Sequence, residues 1–106
     1  MAVFAHEKDA LAPGRGGTLI GPAQGAVGGY CLGITRCDRE EYSAPGVHED
    51  QEGFYVLEGR GMARVGAEEF EIGPGTAFLV AKGVPHTVRR LPGSPTLKLL
   101  WSHGAV

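Results

Sequence analysis

The chain has little of what would place it outside a small folded domain. It has only two cysteines, Cys31 and Cys37, too few for a scaffold built on disulfides. If both lie on one extended strand, they stand roughly 20 Å apart, whereas a disulfide needs Cα atoms within about 7 Å. Two free thiols and a reducing compartment are expected. No stretch approaches the ~18 apolar residues of a membrane span. The N-terminus, Met1 to Asp9, lacks a basic region followed by an apolar run, so no signal peptide is expected and the chain reads as cytoplasmic. A surplus of one charge is also missing. Ten Lys and Arg stand against twelve Asp and Glu, for a net charge of −2. The basic residues are scattered, with Arg89-Arg90 the only adjacent pair, so a nucleic-acid partner is not expected. Helical periodicity is absent too: no 3.6-residue apolar repeat outlasts one turn between glycines and prolines.

What the chain has in plenty is glycine: 18 of 106 residues, against an average near 7%. Glycine admits positive φ and close backbone approach, so many tight turns are implied. Between those turns lie short runs with strand character. Tyr30 to Cys37, Phe54 to Leu57, Met62 to Val65, Ala77 to Ala81, His86 to Leu91 and Leu97 to His103 are examples. Glu69-Phe70-Glu71-Ile72 alternates polar and apolar, which suits a half-buried strand. Roughly eight short strands at regular spacing point to an all-β sandwich, jelly roll or barrel. The length fits one domain. Residues 1–29 are weakly patterned and read as an arm lying on the barrel or on a partner subunit. Residues 30–106 read as the barrel itself.

Two segments carry residues with chemistry. In Pro45-Gly46-Val47-His48-Glu49-Asp50-Gln51-Glu52, His48 and Glu52 are an even number of steps apart and can face the same side. His86 follows the turn Gly83-Val84-Pro85 and opens a later strand. Two imidazoles with one carboxylate suit a divalent first-row metal, as in the facial arrangement of non-haem iron sites. The plainer readings are an ordinary strand histidine for His48 and a satisfied turn residue for His86.

The same segments resemble the two boxes of the cupin superfamily, small single-domain (cupin 2) type. The first box runs Gly, five residues, His-x-His, three or four residues, Glu, six residues, Gly. Glu52 and Gly59 match its Glu and closing Gly, and His48 its second His. The second box runs Gly, five residues, Pro-x-Gly, two residues, His, three residues, Asn. Gly75, Gly83 and His86 match it. The likeness covers about residues 30–103 and implies a double-stranded β-helix, the cupin jelly roll, often homodimeric. It also implies a divalent transition metal (Fe, Mn, Ni or Zn) held by His48, Glu52 and His86.

This chain departs from the family at three places. The family's first His falls on Gly46, its Pro on Ala81 and its closing Asn on Arg90. Three outcomes stay open: a three-ligand metal site, a fourth ligand from Asp50, His103 or His6, or a metal-free polar cluster. By strand alternation Arg90 shares a face with His86, so it is expected to point inward and grip a carboxylate. Tyr55 and Tyr30 are further candidate hydroxyl donors to a small-molecule ligand. The family's activities include dioxygenases, isomerases and lyases, and nothing in the chain selects among them. The alternative to an enzyme is a non-catalytic module that binds or senses a small ligand.

Overall fold

The structure is a computed structural model that describes residues 2–10 and 16–104. The arm and barrel read from the sequence therefore extend in part beyond the described residues. Eight strands are present: β1 (Gly17–Ile20), β2 (Cys31–Cys37), β3 (Glu52–Glu58), β4 (Gly61–Val65), β5 (Glu68–Ile72), β6 (Ala77–Val80), β7 (His86–Arg90) and β8 (Leu97–His103). A one-turn helix, α1 (Glu7–Ala10), precedes them. A 3-10 turn, Pro22–Gln24, follows β1. The strands form two antiparallel sheets, ordered β1-β2-β8-β3-β6 and β5-β4-β7. The strand spacing pointed to an all-β fold, and the family resemblance implied this jelly roll. Among the described residues, no helix is long and apolar enough to cross a membrane.

Alternation along each strand decides which side chains meet between the sheets. On β3 the inward set is Glu52, Phe54 and Val56; on β8 it is Leu97, Leu99, Trp101 and His103. The register pairs them directly: Val56 with Leu99, Phe54 with Trp101, and Glu52 with His103. Val56, Ala63, Leu97 and Leu99 have no exposed surface, and Cys37 and Ile72 close the same cluster. Full burial of one such Leu or Ile stabilises by about 1.5–3 kcal/mol. Phe54, Phe70, Phe78 and Val88 pack against the cluster, and the Phe54 and Phe78 rings stack at 4.9 Å.

The lower rows of the barrel are thus apolar. The row Cys31, His103, Glu52 across β2, β8 and β3 is polar and lies at the other end. Both cysteines are free, and they stand at opposite ends of β2, as strand geometry requires. β1 was not legible as a strand, because its pattern is short and set among glycines. It pairs with β2 and extends the larger sheet.

Candidate metal centre

Main-chain bonds bring the three candidate ligands together. Gly46 and His86 form an isolated antiparallel bridge. Gly46 N donates to His86 O at 2.9 Å, and His86 N donates to Gly46 O at 3.0 Å. This pair ties the segment carrying His48 to the start of β7. Gly83 N then donates to His48 O at 2.9 Å, joining the turn before His86 to the same segment. Gly83 has φ +76°, a conformation open to glycine at little cost, so the turn depends on it. Glu52 is the first residue of β3 and is 6% exposed. One ligand atom from each of His48, Glu52 and His86 lies within 4.8 Å of the others.

The electrostatics of this cluster are unusual. Nε2 of His48 and Nε2 of His86 each lie 3.2 Å from Glu52 Oε1. Yet that oxygen is buried without a hydrogen-bond partner: both nitrogens are near, and neither is aligned to donate. His86 Nδ1 sits 3.1 Å from the carbonyl of Val84. A carbonyl only accepts, so Nδ1 carries the proton and neutral His86 turns the lone pair of Nε2 toward Glu52. Two acceptors therefore face one point. A buried group in that state is costly unless a cation lies between them. The Glu52 carboxylate beside His86 accordingly raises the imidazole's pKa, helped by the Val84 carbonyl and opposed by burial. A divalent metal answers the same need, so the donor set fits one.

Gly46 faces this point. A Cβ at position 46 would stand 3.7 Å from His86 Nε2 and 4.0 Å from His48 Nε2, with no closer atom. The place that the resemblance assigns to a first histidine thus lies against both imidazoles, with a Cβ accommodated at ordinary contact distance.

The other candidates lie elsewhere. Asp50 Oδ2 pairs with His103 Nδ1 at 2.9 Å, and His103 holds the Asp50 carboxyl below its usual range. Neither joins the ligand cluster found among the described residues. His6 is exposed on the arm, where its Nδ1 accepts from Lys8 N. Arg90 does share the inward face of β7, but it lies at the end away from His86. Parity predicts the face and not the depth, and four residues of strand are roughly 13 Å. Its guanidinium there donates to the carbonyls of Asp38 and Ser94 and to Glu40. Tyr55 has the opposite parity to Glu52 and is 45% exposed on the outer face. Tyr30, 42% exposed, precedes β2. The structure does not bring Arg90 or Tyr55 to the cluster.

A two-sheet jelly roll with a two-His, one-carboxylate cluster between its sheets defines a class of small β-barrels. Residues 37–103 match the Cupin domain family (Cupin_2), and the chain belongs to it. No curated protein matches the sequence. Among solved structures, the polyketide cyclase RemF from Streptomyces resistomycificus superposes with a TM-score of 0.79 at 27% identity, over 98% of this chain and 80% of that one. KdgF from Halomonas sp. gives 0.73 at 17% identity, over 100% and 96%. TT1209 from Thermus thermophilus gives 0.72 at 23% identity, over 97% and 97%. The last two likenesses bear on the fold alone.

Proposed function

We propose that this protein is a metal-dependent enzyme acting on a small polar molecule that carries a carbonyl or carboxylate group. The observation that carries this reading is the buried, unpartnered Glu52 oxygen between two imidazole nitrogens. Glu52 contributes the one negative charge, and His86, oriented by Val84, contributes a fixed lone pair. His48 contributes the second imidazole from the solvent side, with 41% of its side chain exposed. These three residues would hold a divalent Fe, Mn, Ni or Zn ion, which would supply polarisation of a substrate oxygen or activation of dioxygen. Gly46 leaves room beside both imidazoles for the substrate's polar group. The likeness to a polyketide cyclase supports an enzymatic role on a carbonyl compound over passive binding.

Elemental analysis after reconstitution with Fe(II), Mn(II), Ni(II) or Zn(II) tests the centre. Close to one equivalent is expected in the wild type, with loss in His86→Ala. Less than about a tenth of an equivalent in the wild type would sink the metal reading, because structural ligand sets bind far more tightly than that. The barrel would then be a non-catalytic small-ligand module.

We further propose a cytoplasmic homodimer. β6 is a sheet edge, Leu79 on it is 64% exposed, and Tyr55 and Leu57 extend the same outer face. An open apolar edge is a surface that a second copy can cover. Light scattering on the sample prepared for metal analysis reads the mass directly, and a monomer would end this proposal.

A further inference from the structure

The three ligands are not held alike. Glu52 is fixed within β3, and His86 is 12% exposed in its side chain with its Nδ1 on Val84 O. His48 sits in the segment between Gly46 and β3 and is the most exposed of the three. Among the described residues, no hydrogen bond orients its Nδ1. Its ring is nevertheless packed. It stacks on the His103 ring with centroids 5.4 Å apart and planes 10° from parallel. His103 stacks in turn on Trp101, at 5.3 Å and 24°. The edge of His103 is pinned by the 2.9 Å contact of its Nδ1 with Asp50 Oδ2. The column Trp101, His103, His48 therefore has one end in the barrel wall and the other at the metal-facing imidazole. Trp101 can lie there because Gly33, its register partner on β2, has no side chain to meet the indole.

We propose that the Asp50–His103 pair is a positioning unit that fixes the ring plane of His48. It does for the exposed ligand what the Val84 carbonyl does for His86. This inference rests on the metal reading above. Asp50 fixes the edge of His103, and His103 offers a flat face against which His48 keeps the orientation that turns Nε2 toward Glu52. Hydrogen-bonding partners behind a ligating imidazole commonly change metal affinity by about 10–100-fold when removed, and a stacked partner is expected at the lower end of that range. Because the contact is a stack, its essential property is a flat ring at position 103.

The test uses Co(II) as probe on the full chain, reading affinity and the visible absorption of the bound ion. His103→Ala is expected to weaken Co(II) by about tenfold and to alter the absorption bands. His103→Phe keeps a flat ring but loses the Asp50 contact, and is expected to recover the bands and to bring the loss of affinity back to the severalfold level of Asp50→Ala. Asp50→Ala is expected to weaken binding severalfold with the ring still present. Leu99→Val, a core change, lowers the melting temperature and leaves the bands as they were, which separates positioning from general destabilisation. In the metal-free protein, the ring-proton shifts of His48 are expected to move in His103→Ala and much less in His103→Phe. Wild-type affinity and spectrum in both His103→Ala and Asp50→Ala would overturn the positioning role while leaving the metal centre standing. Equal loss in His103→Phe and His103→Ala would also overturn it, by making His103 a ligand. If His103→Ala does not fold, His103→Phe and Asp50→Ala carry the test alone. A wild type that takes up no Co(II) overturns both this inference and the reading it rests on.

Discussion

Position 46 shows how much one side chain decides. The Gly46 backbone makes both bonds of its bridge with His86, and neither bond needs a side chain. Its φ lies outside the left-handed region, so a larger residue meets no backbone strain there. Gly46→His is therefore expected to fold and to add a third imidazole, and so a fourth ligand, beside the present three. Zinc favours four protein ligands in a closed site, so Zn(II) should bind about tenfold tighter or better, as read by calorimetric titration. The same change should reduce turnover of whatever substrate the wild type accepts, since the added ring occupies the gap. The cluster of His48, Glu52 and His86 was legible at this scale through the family resemblance, carried by the spacing of His48, Glu52, Gly59, Gly83 and His86; two histidines and a carboxylate are a weak signal without it. The pairing of Asp50 with His103 was not. In the sequence both are candidate fourth ligands, and only the register of β8 against β3, a long-range fact, sets them against each other. The separation of Arg90 from His86 was hidden for a related reason: alternation along β7 gives a face, and the distance to His86 comes from the whole strand.

Among the elements, α1 packs beside β1 and is tied to the larger sheet by Glu7. Glu7 Oε1 lies 3.0 Å from Lys98 Nζ on β8 and 3.6 Å from Arg36 Nη2 on β2. The hydrogen bond from Lys98, aided by the charges of Lys98 and Arg36, holds the Glu7 carboxyl below its ordinary value. A carboxylate depressed in the folded state contributes stability that is complete above its unfolded pKa. That contribution fades as the pH falls through the folded pKa. The helix should therefore detach under acid conditions, below the ordinary glutamate range, while the barrel stays folded. Amide exchange across Lys8 and Asp9 should speed up there, and Glu7→Gln should show fast exchange at every pH. The strands of the barrel were legible because turn glycines and prolines cut the chain into short alternating runs. β1 and α1 were not, since their order comes from pairing with β2 and from the Glu7 contacts, not from any local pattern.

For the whole molecule, any metal the barrel takes up is linked to its fold by mass action. An ion that binds the native barrel and not the unfolded chain, supplied at a hundred times its Kd, stabilises by about 2.7 kcal/mol. In a domain of this size that raises Tm on the order of 10 °C. Thermal unfolding followed by circular dichroism should show this rise in the wild type and none in His86→Ala. The two ends of the barrel differ in what their residues are free to become. At the Arg90 end, side chains make the connections, to the Asp38 and Ser94 carbonyls and to Glu40, so their identities are constrained. At the ligand end, the reciprocal Gly46–His86 bonds are made by main chain alone. A lineage can therefore exchange the residue at 46 while His86 keeps its place. Coordination number then becomes a trait open to gradual drift, gained or shed by single codon changes on a scaffold that does not register the difference.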